Sequence, residues 1–492
     1  MSLLSLNDDV LLEIFAPLYG KDALNVSLTS KRAYTLAGPC IASRIECTSP
    51  KRLRRIHTYL LAASSDGGLR ARILKFLWID RGAFEDPLAE GPYDHPKYDF
   101  SQVHLVREIL LQASNLRELW IAGFQACIER DARIWDTIQS LTGLVDLQLF
   151  DVTDSSLTIF DSFRSDYLTR LTLTYRRSRS KAEIPISPLP SLPSIRHLRL
   201  HEPTMFALDL VGRCPNLSAL IVSFIQKTQP RDLPGACGGS QWPSLRRLMV
   251  SELQDVRSFS ERLRTVGSLQ ICGMLDCRSG GDLALLEVLR QTSPVGLYVS
   301  IQTSCQEPLF WDAIPSAAPR LRSLELQLQR PSGCSIPEAY SWLSKLPAAL
   351  SSIPLVCLRV LVPEPLQGQP NIVLEGQRNH GWEREIKRIK ALIALPCLLV
   401  RAIPSLRYLS VGDLAPNTHV TGVPIADAAL DALRLKAEDF VVTKWDEMRW
   451  LDIIRMRCWW RIEDGPSGSP RELVEISEEE GEEAQRQIES VN

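Results

Sequence analysis

A chain of 492 residues is long enough for a large core or several domains, and 45% hydrophobic with 23% charged residues is ordinary for a globular protein. The net charge of -2 gives no general basic excess of the kind that suits nucleic acid. The longest apolar run, 391–400, is too short to span a bilayer and contains Pro396, and the acidic Asp8 and Asp9 argue against a cleavable leader.

In chain order, the first pattern is helical. Leu6, Val10 and Ile14 recur every four residues, with Leu11, Phe15 and Leu18 beside them, a wide apolar stripe. Asn7 is placed to cap this helix, and Asp8 and Asp9 put negative charge at its positive end. A second helical pattern runs from about Asp22 to Ala37 and stops at Gly38-Pro39, after which a third short helix would carry Cys40, Ile41, Arg44 and Ile45. Three such short helices have little core of their own and must lean on something else, as a docking module does.

The runs LNDDVLLEIF and DALNVSLTSKRAYTLA resemble the F-box in the style common in fungal proteins. The resemblance covers only residues 1–45. It implies a three-helix element that docks onto the small Skp-type linker subunit of a cullin–RING ubiquitin ligase. Mapped onto this chain, the linker contacts would be Leu6, Asn7, Val10, Leu11, Ile14, Phe15, Leu18, Leu24 and Leu28, with Val10, Leu11, Ile14 and Phe15 foremost. The family usually has Leu-Pro where this chain has Leu6-Asn7, so a capping Asn must replace a Pro that pre-sets the first turn. The plainer alternative is a helix pair that only caps the domain behind it.

Residues 46–72 read as a helical linker, with the basic run Lys51-Arg52-Leu53-Arg54-Arg55 as a solvated face. From 73 to 415 a phrase recurs, Pro-x-[Leu/Ile]-x-x-Leu-x-[Leu/Val], with close copies beginning at Pro193, Pro215, Pro243, Pro319 and Pro404. Looser copies start at Leu74, Leu116, Leu144, Leu168 and Val266. From residue 116 the steps are 28 to Leu144, 24 to Leu168, 27 to Ile195, 22 to Leu217, 28 to Leu245 and 21 to Val266. Those steps suit leucine-rich repeats of ~20–29 residues. The last two Leu of the phrase alternate along a strand and point into a shared core, and Pro sits just before the strand, where no N–H is needed. The Asn or Cys that follows the strand in regular repeats is mostly missing. The later steps stretch to 34 (321 to 355) and 51 (355 to 406), so the repeats should be irregular.

The fold class expected is therefore α/β: an F-box followed by an irregular leucine-rich-repeat solenoid, a parallel-strand horseshoe with helices on its convex side. Strands are predicted, in chain order, near 74–79, 116–121, 144–149, 168–173, 195–200, 217–222, 245–250, 266–271, 297–301, 321–326, 355–360 and 406–411. Residues 416–464, helical and rich in Trp (Trp445, Trp450, Trp459, Trp460), read as a C-terminal cap. Residues 465–492, opening on Gly465-Pro466-Ser467-Gly468-Ser469-Pro470 and then dominated by Glu, read as a flexible acidic tail.

No phosphate loop, zinc-protease helix or nucleophile elbow occurs. His197 and His201, four apart on a predicted strand, would lie roughly 13 Å apart and could not share an ion. The twelve cysteines are scattered; the nearest pair, Cys272 and Cys277, lacks a second pair at metal spacing, so they read as reduced, mostly buried thiols. The basic run Arg176-Arg177-Ser178-Arg179-Ser180-Lys181 reads as a loop. No cofactor, metal or catalysis is expected, nor a nucleic-acid or membrane partner, in a cytoplasmic or nuclear protein. The expected role is that of a substrate adaptor in ubiquitin-dependent degradation. Its unidentified protein target would sit on the concave face, where alternation exposes Phe76, Trp78, Trp120, Gln148, Phe150, Arg170, His197, Arg199, Arg247, Glu325 and Tyr408. Of these Trp78, Trp120, Phe150, Arg170, His197, Arg199, Arg247 and Tyr408 are the chosen anchors. The rival from another class is a leucine-rich-repeat interaction scaffold with no ligase attached.

Overall fold

The Leu-x-x-Leu-x-Leu phrases become a buried corner followed by a short strand. The computed structural model describes residues 6–18, 20–63, 68–86, 98–157, 160, 166–176, 191–224, 241–275, 280–302, 308–329, 336–362, 391–392, 394–413, 458–465 and 471–490. It is a mixed α/β chain with mostly parallel strands, and it divides into two compact units, Met1–Pro243 and Ser244–Asn492. No helix among the described residues is long and apolar enough to cross a membrane.

In the first unit, seven strands pair in chain order, all parallel: β1 Arg44–Cys47, β2 Phe76–Ile79, β3 Glu118–Ile121, β4 Asp146–Val152, β5 Arg170–Tyr175, β6 His197–His201 and β7 Ala219–Ser223. Each of β2–β7 begins about two residues later than its phrase. The first Leu of the phrase, such as Leu74, Leu116 or Leu144, is fully buried in the corner instead. There one carbonyl accepts two successive N–H groups from the next repeat. Lys75 O takes Arg117 N and Glu118 N (2.8 and 3.0 Å), and Arg117 O takes Val145 N and Asp146 N (2.8 and 3.0 Å). Val145, Thr169 and Arg196 repeat the step. Asn115 and Asn216, just before the corner Leu, donate Nδ2 to Arg72 O and Pro193 O of the preceding repeat (2.7 and 2.9 Å). These side chains give otherwise orphaned corner carbonyls a partner.

Helices return the chain between strands. Pro50–Leu61 starts on a Ser49 cap with Pro at its first position and buries Leu53 and Leu60, and Val103–Gln112 buries Val106, Ile109 and Leu110. Because β1 pairs with β2 through Arg44↔Phe76 to Cys47↔Ile79, the segment read as a linker (46–72) is in fact the first strand–helix repeat.

The N-terminal helices also differ from expectation. They are α1 Asp8–Phe15, α2 Gly20–Ser27 and α3 Lys31–Ser43. The break falls at Leu28–Ser30, where Ser30 Oγ accepts Ala33 N (3.0 Å), and α3 runs on through Gly38-Pro39. Arg44 and Ile45 belong to β1, not to a third short helix.

In the second unit, β8 Leu245–Val250, β9 Val266–Leu275, β10 Gly296–Gln302, β11 Ser323–Gln329, β12 Cys357–Val362 and β13 Tyr408–Asp413 are parallel in chain order. Then the direction reverses. β14 Cys458–Glu463 lies antiparallel to β13, and β15 Glu472–Ile476 antiparallel to β14. Most of the expected cap (416–464) lies outside the described residues; the part seen includes strand β14, 458–463.

The flexible-tail expectation is overturned. Residues 472–476 form β15, and the helix Glu478–Ser490 packs with Gly481 and Gln485 buried. Arg471 fastens its start by donating Nη1 to Val400 O and Ile403 O (both 3.1 Å) and Nη2 to Leu406 O, carbonyls of the last helical turn and of the corner that follows it.

One buried carboxyl in this unit yields a pH prediction. Asp255 lies in the first turn of helix Leu253–Phe259 and accepts Glu252 N (2.8 Å), while burial pushes its pKa up to about 6. A raised carboxyl pKa contributes stability below the unfolded value, about 3.9, and loses it as pH rises through 6. Asp255→Asn keeps an acceptor for Glu252 N without the charge. Solvent partly screens the site, so the variant should gain about 1 kcal/mol at pH 7.5, and the gain should vanish at pH 4. Urea titrations at the two pH values check this; an equal effect at both would refute the electrostatic cause.

Candidate interaction surfaces

The N-terminal helices sort their apolar residues into two sets. Leu11, Phe15 and Ala37 are buried together, with Leu6, Leu18, Val26, Leu36 and Cys40 packed against them. Leu6, Leu11, Phe15 and Leu18, expected to touch a partner, therefore build the module's own core. Val10 (43% exposed), Ile14 (41%), Leu24 (44%) and Leu28 (73%) stay on the surface, as do Leu12 and Tyr34. Val10 and Ile14 are an i,i+4 pair on one face of α1, and Leu28, in the turn just past α2, follows Leu24 at the same spacing. Asn7 sits at the cap position but its side chain makes no capping bond. The turn is held instead by Arg32, which donates to Leu6 O (2.8 Å) and to Asp8 Oδ1 (2.8 and 2.6 Å).

The open face of the first unit's sheet is laid out by register. One row reads Arg44, Phe76, Glu118, Asp146, Arg170, His197; the next reads Glu46, Trp78, Trp120, Gln148, Thr172, Arg199. The aromatic end is interlocked: Phe76 and Trp78 meet Trp120 edge-on at 5.1 and 5.9 Å, and the Arg44 guanidinium lies 3.9 Å from the Phe76 ring centre. Phe76 is buried by this, so Trp78 and Trp120, half-buried, offer the accessible aromatic surface. The indole Nε1 of Trp120 is buried with no hydrogen-bond partner.

The charged end is a small ion-pair cluster. Arg170 Nε is 3.0 Å from Asp146 and its Nη2 3.7 Å from Glu118. Burial raises the Asp146 carboxyl pKa, which Arg170 offsets and Glu118 reinforces. Burial and the Arg170 charge lower the His197 pKa, and burial and Arg199 lower that of His201, which bonds to Ser223 Oγ at 2.5 Å. Arg170, His197 and Arg199 remain exposed, Phe150 half-buried. The basic run beyond Arg176 lies outside the described residues.

In the second unit the expected anchors fare differently. Arg247 is exposed and donates to Gln270 Oε1 (2.7 Å), whereas Tyr408 faces Arg461 on the antiparallel neighbour. Glu325, expected on an open face, is buried beside Arg359 because the C-terminal helix covers it. Nothing in composition signalled that cover.

Two cavities lie elsewhere on the first unit, one of about 420 Å³ lined by Ser49, Lys51, Arg52 and Arg55, the other of about 410 Å³ lined by Arg72, Ile73, Lys75, Asn115 and Arg117. Among the described residues no three of His, Cys, Asp or Glu come together as a metal site. Burial pushes the Cys47 and Cys357 thiols up to about 12, so they stay protonated. No protein-family model matches the chain, and no curated protein matches it.

Proposed function

We propose that the chain is a non-catalytic substrate adaptor of a cullin–RING ubiquitin ligase, acting in the cytoplasm or nucleus. Its first three helices form an F-box that holds the Skp-type linker, and the leucine-rich-repeat-like region holds a protein target. The observation that carries this reading is the division of labour in α1, α2 and the turn that follows α2. Leu11 and Phe15 satisfy the module's core, while Val10, Ile14, Leu24 and Leu28 are left in solvent. Each such side chain, once covered, is worth about 1–2 kcal/mol. Exposed apolar residues of this kind mark an interaction site.

The mechanism is geometric. The linker end fixes the chain to the ligase, and the target end raises the target's effective concentration beside the ubiquitin-charged enzyme. Trp78, Trp120, Arg170 and Arg199 supply aromatic and guanidinium anchors of the type that dominates interface energies.

A deletion of residues 1–45 would cut β1, so the test keeps the full chain. Co-expression with a Skp-type linker should give a one-to-one complex on size exclusion. Trp120→Ala with Arg199→Ala should leave that complex intact while removing one set of proteins co-purified from cell extract, identified by mass spectrometry. Failure of the unmodified chain to bind any Skp-type linker overturns the adaptor reading in favour of a scaffold without ligase association.

A further inference from the structure

We propose that the polar face of β10–β13 is a binding site for a carboxylate-bearing helix of a partner protein, filled in the free chain by its own C-terminal helix. The helix Glu478–Ser490 has 13 residues and so spans about 20 Å, the width of four to five strands ~4.8 Å apart. Its contacts follow that path. In its first turn and a half Gly481 rests on Trp459 of β14, while Glu478 and Glu482, on either side of it in sequence, flank Arg359 of β12 (3.8 and 3.7 Å), and at its end Glu489 accepts from Tyr298 of β10 (2.6 Å) and Ser323 of β11 (3.0 Å).

This seat is unlike a structural cap. A cap buries apolar side chains, yet the residues this helix buries are Gly481 and Gln485. Its hold rests mainly on the hydrogen bonds of Glu489 and Gln485 to Tyr298 and of Glu489 to Ser323, with weaker, water-screened charge contacts of Glu478 and Glu482 to Arg359, and another helix of the same chemistry can supply these equally. The floor is also incompletely satisfied. Arg359 Nε, Ser300 Oγ and Ser410 Oγ are buried without hydrogen-bond partners, groups that a better-fitting occupant could engage. The fit is specific at one point: a Cβ on Gly481 would come within 3 Å of the Trp459 ring, so only Gly seats there without displacement. The partner signature is therefore Glu-x-x-Gly-Glu-x-x-Gln-x-x-x-Glu on a helix, the spacing of Glu478, Gly481, Glu482, Gln485 and Glu489. This site is separate from the N-terminal docking surface, and its test does not depend on linker binding.

The test uses the full chain with a protease site inserted between Ile476 and Ser477, cut only after folding, and a fluorescent synthetic peptide of residues 477–490. The cut chain, freed of its helix by dialysis, should bind the peptide at least about tenfold more tightly than the uncut chain. A peptide carrying Glu478→Gln, Glu482→Gln and Glu489→Gln, or Gly481→Leu, should bind at least about tenfold more weakly. In the uncut chain, amides of 481–490 should exchange hydrogen much faster than those of β10–β13, because the helix opens without unfolding the sheet. The proposal is overturned if the cut chain unfolds, if it keeps its circular dichroism but does not bind the peptide, if the altered peptides bind equally, or if the helix exchanges no faster than the strands.

Discussion

Ile14→Asp should abolish recovery of a Skp-type linker with this chain while shifting its melting temperature by no more than about 2 °C. Ile14 is 41% exposed on α1, so in the free chain the new carboxylate remains in water and costs little. In a complex it would be desolvated without a cation, at a cost of several kcal/mol. Since about 1.4 kcal/mol is a tenfold change, affinity should fall by at least a hundredfold. Leu11→Asp, one turn away, should behave in the opposite manner. Leu11 is fully buried against Phe15 and Ala37, so its carboxylate would unfold the module first, and linker loss would then report stability rather than contact. The pair of variants separates a docking surface from a cap. If Ile14→Asp retains the linker, or lowers the melting temperature as far as Leu11→Asp does, the surface assignment is wrong.

The strands were legible because their signal is short-range and repeated. Leu119 and Ile121, or Leu198 and Leu200, are buried by alternation alone, and that alternation is visible in any copy of the phrase. What alternation does not reveal is the corner. The first Leu of each phrase looks like a strand residue, but Leu74, Leu116 and Leu144 turn the chain there, and the shared carbonyls of Lys75 and Arg117 set where the ladder begins. Asn115 and Asn216 serve the corner before the strand, a position unlike the Asn expected after it.

At the N-terminus the period of the apolar residues was readable, but not which of them faced inward. Val10 and Leu11 are sequence neighbours and both strongly apolar. Only the packing of α1 on α3, through Ala37 and Leu36, turns Leu11 in and leaves Val10 out. Gly38-Pro39 read as a stop, yet α3 continues through both. Local punctuation lost there to tertiary packing, as propensity often does.

The order of the tail is invisible in the sequence for a related reason. A Glu-rich segment buries too little apolar area to order itself alone, and composition carries no information about a complementary seat. That seat is assembled from Tyr298, Ser323, Arg359 and Trp459, four residues from four strands. The Gly481 that fits over Trp459 carries no sequence mark of that contact.

Replacing Arg359 by Ala should be among the most damaging single changes in the second unit. Arg359 and Glu325 face each other directly across β12 and β11, 3.6 Å apart, with side chains only 9% and 8% exposed. The Trp459 ring lies 5.5 Å from the guanidinium, and Glu478 and Glu482 approach from the helix. Removing one partner of a buried pair strands the other charge in a low-dielectric site, a loss of about 3–5 kcal/mol. Glu478 and Glu482 are half-exposed, so water screens them and they add little to that figure. Arg359→Met combined with Glu325→Leu removes both charges and keeps the volume, so the double variant should lie within about 1 kcal/mol of the unaltered chain. Urea unfolding followed by tryptophan fluorescence measures both. A cost below about 1 kcal/mol for Arg359→Ala would mean that the pair is effectively solvated. A double variant as damaged as the single one would mean that Arg359 acts through its packing on Trp459 rather than through its charge.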